Sequence, residues 1–242
     1  MASTGTDLFV SDIHLSPAEP ATAERFLAFL AGPAREAERL FILGDLFDYW
    51  AGDDDLADPF STHIVKALRA LADGGVRLAF MAGNRDFLIG QDFARAAGLE
   101  LLPDACRCDI GGVPTLLLHG DTLCTDDADY QRFRAMVRAP EWAARFLARP
   151  LAERKREIEA LRTRSESEKR AKPMAIMDAN DGAVLAALRE HGATALIHGH
   201  THRQGRHALA VDERSCTRWV LGDWHPDRGG ALACRGADWR FA

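Results

Sequence analysis

Five short apolar runs punctuate the chain, and each ends on a polar residue able to bind a cation. Leu40-Phe41-Ile42-Leu43 is closed by Gly44 and then by the carboxylate of Asp45. Leu8-Phe9-Val10 leads to Asp12 and His14, Leu78-Ala79-Phe80-Met81 to Asn84, Leu116-Leu117-Leu118 to His119, and Ala195-Leu196-Ile197 to Gly199-His200-Thr201-His202. Runs this short and this uniformly apolar predict strands buried on both faces. Seven potential ligands therefore stand at five strand ends, and Asp45 is the natural one to bridge two ions.

Between the runs the apolar period changes to that of helices. Thr22 to Leu30 carries Phe26, Phe29 and Leu30 and stops at Gly32-Pro33, so the first unit reads as βαβ with Asp45 on its second strand. Pro59 to Asp73 predicts a helix with Ile64, Val65, Leu68 and Leu71 inward, and Gln91 to Ala97 a short one stopped by Gly98. Asp109-Ile110-Gly111-Gly112-Val113 predicts a hairpin with a two-glycine turn.

From Asp129 onward the strand pattern vanishes and a helical insertion over about 129–173 is expected, with starts at Pro140 and Pro150. Its stripe of Phe133, Met136, Val137, Trp142, Phe146, Leu147, Leu151, Ile158 and Leu161 suits core or a cap over the ligand cluster, apolar inside and basic outside. A helix from Ala175 to His191 returns the chain to the body. The alternating tail (His207–Val211, Arg218–Leu221, Ala231–Arg235, Trp239–Phe241) predicts an antiparallel meander closing a second sheet. The expected organisation is one domain over 1–242 carrying this insertion.

Charge sharpens the picture of the insertion. The 242 residues carry a net charge of -6, yet Gln131 to Pro173 holds thirteen Lys/Arg against six Asp/Glu, leaving seventeen against thirty elsewhere. An acidic, metal-binding body with one basic segment suits a phosphorylated or membrane-surface substrate, and nucleic acid is not expected as a partner. No basic leader with an apolar core opens the sequence, no stretch approaches about 18 apolar residues, and five cysteines lack a paired framework. The expectation is a cytoplasmic protein with reduced thiols.

The ligand types define the chemistry. Asp12 and His14 can grip one ion if the backbone stays extended, because alternate residues of a strand share a face. His200 and His202 are expected as ligands, with His198 a neighbour. Asp, His and Asn without cysteine suit Mn, Fe, Co or Zn. One carboxylate shared by two ions would hold them roughly 3.5–4 Å apart, and water between them would ionise near neutrality. That chemistry points to phosphoester or phosphoanhydride hydrolysis, with Arg85 a planar partner for phosphate.

Strand ends reading D-x-H, G-D, G-N, H and G-H-x-H, in that order, resemble the calcineurin-like metallophosphoesterase superfamily. The resemblance implies an α/β fold of two packed mixed β-sheets flanked by helices. It also implies one ion on Asp12, His14, Asp45 and His202 and another on Asp45, Asn84, His119 and His200. Gly44-Asp45-Leu46-Phe47, Gly52-Asp53-Asp54-Asp55, Gly83-Asn84-Arg85-Asp86-Phe87-Leu88, the stretch His119 to Asp127, and Ala175-Ile176-Met177-Asp178 are similar to the UDP-2,3-diacylglucosamine pyrophosphatases of bacterial lipid A synthesis.

That finer resemblance implies two Mn²⁺ ions, with Asp45, Asn84, His119 and His200 catalytic, and water attack on the α-phosphate to release UMP and the 1-phosphate of the diacylated sugar. Substrate contacts are implied at Asn84, Arg85, Asp127, Ser165, Lys172 and His200, and at Lys169, where the family more often shows asparagine. Asp48 stands where glutamate is common, and Gly222-Asp223-Trp224-His225 receives no catalytic role. A groove lined by Trp142, Phe146, Leu147 or Leu161 would take the acyl chains. The implied setting is a monomer bound peripherally to the anionic cytoplasmic face of the inner membrane. The rivals are a cyclic-nucleotide or phosphoprotein esterase of the same superfamily and a non-catalytic scaffold on the same fold.

Overall fold

The apolar runs become strands because both of their faces are covered. The computed structural model describes residues 5–171 and 178–242, the side chains of 163–171 excepted. One sheet is built from β1 (Asp7–Val10), β2 (Arg39–Leu43), β3 (Arg77–Met81), β4 (Leu99–Leu102), β10 (Leu232–Arg235) and β11 (Asp238–Phe241), in the order β11-β10-β1-β2-β3-β4. The other holds β5 (Ala105–Ile110), β6 (Val113–Leu118), β7 (Ala195–His198), β8 (Gly205–Val211) and β9 (Arg214–Val220), in the order β5-β6-β7-β9-β8. Strands β1 to β4 run parallel, as do β6, β7 and β9. The strand ends that carry the predicted ligands therefore gather at one edge of the two sheets.

Alternation along each strand divides the core into layers. Phe9, Phe41, Leu43 and Met81 face Leu117, Ile197, Trp219 and Leu221 between the sheets, with Phe9 stacked on Phe41 at 4.7 Å. The opposite face of the first sheet, through Leu40, Ile42 and Phe80, is covered by α1 (Pro20–Ala31), α2 (Pro59–Asp73) and α3 (Gln91–Ala97). Leu116, Leu118 and Leu196 face α7 (Asp181–Glu190) through Val184 and Leu188. Fully burying each such side chain contributes about 1.5–3 kcal/mol. In α2, Asp58 Oδ2 caps the helix by accepting the Phe60 and Ser61 amides at 3.0 and 3.1 Å, and Pro59 opens it.

Two sequence expectations are corrected here. The tail does not close one sheet: β8 and β9 form a hairpin in the second sheet, whereas β10 pairs with β1 and carries β11 into the first. Alternation reports which faces of a strand are covered, not which sheet it joins. The helix expected from Ala175 begins at Asp181, where Asn180 accepts the Ala183 amide as N-cap, and 175–177 lie outside the described residues.

Between β6 and α7 run α4 (Ala128–Val137), α5 (Pro140–Leu147) and α6 (Leu151–Ala171), starting where Pro140 and Pro150 predict. Phe146 is buried and stacks with Trp142 at 4.7 Å, and both pack on the helix-covered face of the first sheet. These two rings anchor the helices. Phe133 and Met136, in contrast, are 40% and 52% exposed, with Leu147 and Leu161 also exposed, so the stripe divides into buried anchors and exposed apolar side chains. Arg154 is almost wholly buried under α6, donating to the Ala51 carbonyl, to the Arg149 carbonyl at 3.0 Å, and to Asp54. Lys155 pairs with Asp55 at 2.7 Å and Arg162 with Asp48 at 2.5 Å. The carboxylates after Asp45 thus hold helices. Among the described residues no helix is long and apolar enough to cross a membrane.

Candidate metal centre

Each strand end continues into a loop that binds its neighbour. Asp12 N–H donates to the Gly44 carbonyl at 3.1 Å, His14 N–H to that of Asp45 at 3.0 Å, and Gly199 N–H to that of His119 at 2.7 Å. The extended backbone that would put Asp12 and His14 on one face by alternation is not what forms. Both are left-handed, with φ of 54° and 53°, and so are Asp45 (55°), His200 (68°) and His202 (56°). Gly44, with φ of 89°, passes so close to His119 that a Cβ there would collide with its Nδ1.

The result brings the predicted ligands together. His14 Nε2 and His202 Nε2 face each other at 3.4 Å, and lie 4.0 and 3.3 Å from Asp12 Oδ1. Asp45 presents Oδ2 to His14 Nδ1 at 3.9 Å and Oδ1 to His119 Nε2 at 3.8 Å. His119 Nε2 is 3.0 Å from Asn84 Oδ1, and its ring meets that of His200 edge-on with centroids 5.1 Å apart. Ligand atoms of Asp12, His14 and His202 lie within 4.8 Å of one another, as do those of Asp12, Asp45 and His119.

The donor set fits divalent cations. Asp12 Oδ1 and His14 Nδ1 are buried and, among the described residues, lack a hydrogen-bond partner. Burial pushes the Asp45 carboxyl up to about 7, His119 pulling against it and Asp86 and Asp12 adding to it, so this cluster of acids is short of positive charge. Burial likewise drives His14 down to about 3, which keeps its imidazole neutral and able to ligate. Burial lowers His202 too, but the neighbouring carboxylates of Asp12 and Asp223 outweigh it and bring the ring up to about 9.

Several residues without an assigned role in the sequence reading support this arrangement. Asp86 is fully buried and accepts four backbone amides: Gly83 at 2.9 Å, Leu46 at 2.7 Å, Asp45 at 3.2 Å and Phe47 at 3.4 Å. It ties the β2 loop to the β3 loop. Asp121, also buried, accepts the Tyr130 hydroxyl at 2.8 Å and Arg134 Nε at 2.7 Å, and Arg138 donates to the Gly83 carbonyl at 2.8 Å. Helix α4 is thereby fastened to two ligand loops, with Tyr130 stacked 6.0 Å from His200. The signal for Asp86 was its place three residues after Gly83, and that for Asp223 its strand-end G-D. Both were visible, but neither spacing distinguishes support from surface.

Of the expected substrate contacts, Arg85 lies at the cluster, its amide donating to Asp45 Oδ1 at 2.9 Å and its Nη1 to Asp48 at 2.8 Å. Asp127 caps α4 by accepting the Tyr130 amide at 3.1 Å. Ser165 and Lys169 belong to the α6 backbone, their side chains falling outside the described residues, as does Lys172 altogether. His198 is buried beside the cluster, with Nδ1 2.9 Å from the Gly199 carbonyl. Cys106 and Cys108 are half-buried on β5 and all five cysteines are free.

Comparison with known proteins gives concordant similarities. Residues 8–204 match the model of the calcineurin-like phosphoesterase family. The chain is 56% identical over 220 residues to a UDP-2,3-diacylglucosamine hydrolase of Aromatoleum aromaticum, covering 91% of this chain and 89% of that protein. It is 48% identical over 224 residues to a protein of the same name from Chromohalobacter salexigens, covering 93% and 91%. With another from Stenotrophomonas maltophilia it shares 46% identity over 241 residues, covering 97% and 96%.

Proposed function

Because this chain belongs to the calcineurin-like phosphoesterase family, we propose that it hydrolyses the pyrophosphate bond of UDP-2,3-diacylglucosamine, a step of lipid A biosynthesis. Water attacks the α-phosphate, releasing UMP and 2,3-diacylglucosamine 1-phosphate. The observation that carries this reading is the gathering of Asp12, His14, Asp45, His119 and His202 into two groups that share Asp12, in a chain whose near-full-length relatives are named as hydrolases of that substrate.

Asp12, His14, Asp45 and His202 would hold one divalent cation, and Asp45, Asn84, His119 and His200 a second. The two oxygens of Asp45 face different imidazoles, which suits a shared ligand. Bound cations, taken here to be two Mn²⁺, supply the charge that acidifies water and neutralises phosphoryl oxygens. Asp45, Asn84, His119 and His200 are assigned to catalysis. Arg85 offers a planar guanidinium to a phosphate oxygen while Asp48 holds its far end.

Residues 129–173 are assigned as a helical cap on a single domain spanning 1–242. Asn84, Arg85, Asp127, Ser165, Lys169, Lys172 and His200 are assigned to substrate binding. The exposed side chains of Phe133, Met136, Leu147 and Leu161 supply apolar surface, and each acyl CH₂ buried there is worth about 0.8 kcal/mol. The basic excess of the same segment favours an anionic membrane surface, so the enzyme acts as a peripheral monomer on the cytoplasmic face of the inner membrane.

The deciding experiment is turnover of UDP-2,3-diacylglucosamine by wild type and Asp45→Ala, with and without chelator. UMP release that survives either treatment contradicts the reading. Sedimentation with anionic vesicles at low salt tests the membrane assignment separately.

A further inference from the structure

His202 is the ligand least fixed by packing. Its side chain is 37% exposed, against 2% for His119, and its backbone sits at a left-handed φ of 56°. His119 is oriented by its Nδ1, 2.8 Å from the Leu43 carbonyl. His202 has a different device. Its Nδ1 lies 3.1 Å from Asp223 Oδ2, while Nε2 faces Asp12 and His14. A carboxylate on one ring nitrogen holds the proton there and leaves the other nitrogen its lone pair.

The carboxylate is itself held in place. His225 Nε2 reaches Asp223 Oδ2 at 2.8 Å, and Arg228 Nη2 donates to both oxygens at 3.0 and 3.2 Å. One residue on, Trp224 N–H donates to the Asp12 carbonyl at 3.1 Å, and the indole meets Phe26 and Phe29 edge-on at 5.5 and 5.4 Å. The loop after β9 is therefore fixed on one side to the ligand loop of β1 and on the other to α1.

We infer that Asp223 is a positioning residue for the cation that Asp12, His14 and His202 would hold, setting the tautomer and angle of His202 without touching the ion. The inference rests on the two-cation reading above. It predicts an asymmetric defect, because the ring that Asp223 holds is that of His202, assigned to one of the two cations alone. Loss of such an outer carboxylate weakens a metal about 10–100-fold.

The test is Mn²⁺ binding to metal-stripped full-length protein, followed by calorimetry and electron paramagnetic resonance. Wild type binds two ions and shows the spectrum of a coupled pair. Asp223→Ala keeps one ion at wild-type affinity, binds the other about 10–100-fold more weakly, and at limiting Mn²⁺ gives the spectrum of an isolated ion. Asp223→Asn, whose amide oxygen still accepts the Nδ1 proton, recovers part of the loss. Wild type binding two ions with Asp223→Ala unchanged overturns this inference alone. Equal weakening of both ions, with a lower melting temperature of the metal-free variant, also overturns it. Wild type binding fewer than two overturns the two-cation reading as well.

Discussion

Replacing Asp86 by alanine removes the acceptor of four buried amides at once and leaves nothing charged in its place. An unpaired buried donor costs about 1–3 kcal/mol, so the two short bonds, from Leu46 and Gly83, account for about 4 kcal/mol at mid-range. Burial pushes the Asp86 carboxyl up despite those amides, so the charge is held at a cost that alanine recovers. The net loss is about 3 kcal/mol, a large share of the roughly 5–15 kcal/mol that stabilises a domain. At about 2–4 °C per kcal/mol for a chain of this size, the metal-free variant should melt about 6–12 °C lower by differential scanning calorimetry. Asp86→Asn keeps one acceptor oxygen and should lose about half as much. It should still fold, but with the Asp45 loop released its kcat should fall about 10–100-fold, since misplacing a ligand by 1 Å costs about 10²-fold. A loss below about 1 kcal/mol in Asp86→Ala would refute the assignment of Asp86 as the tie between the two loops.

His198 is held at about 4, chiefly by burial, whereas in the unfolded chain it titrates near 6.5. The unfolded state takes up the proton first, so metal-free protein loses stability as pH falls from about 6.5 towards 4, by up to about 1.4 kcal/mol per unit; urea unfolding at pH 7, 6 and 5 should show a shallower acid slope for His198→Gln. Arg154→Ala leaves the Ala51 and Arg149 carbonyls without their donor. Its pair with the half-exposed Asp54 counts for little, so about 2 kcal/mol is expected from the carbonyls, read as faster tryptic cleavage within α6. In the β8–β9 turn Glu213 has a φ of 66°, and Glu213→Gly should raise the melting temperature by about 1–3 °C with kcat unchanged.

The strands and the gathering of polar side chains at their ends were legible because covered faces and metal-binding residue types both leave short-range marks. An apolar run ending in glycine and a carboxylate states its own burial and its own chemistry, and five of them in order identified the cluster. Asp86 and Asp223 left no such mark. Their partners are backbone amides and an imidazole brought together by loop closure, which local spacing does not encode. The tail failed for the same reason: β10 leaves the second sheet to pair with β1, a choice set by which edge was open. The condition set for Asp12 and His14, an extended backbone, is not met because the strand ends at Val10, yet the two side chains still meet.

That left-handed backbone concerns how the site is built. A left-handed backbone costs an L-residue roughly 1–2 kcal/mol, and five of the seven proposed ligands adopt it. Glycine would remove the strain but cannot ligate. Asp and His are among the residues enriched at positive φ, so the residues the chemistry needs are also tolerated by the geometry. What holds them is mutual: amides of Asp12 and His14 bind the β2 loop, Asp86 gathers the β2 and β3 loops, and the Trp224 amide returns to Asp12. None of these bonds uses the ligating atoms of His14, His119 or His202. The imidazole geometry is therefore set by loops fastened to one another, and cation binding need only neutralise acids already gathered rather than assemble them.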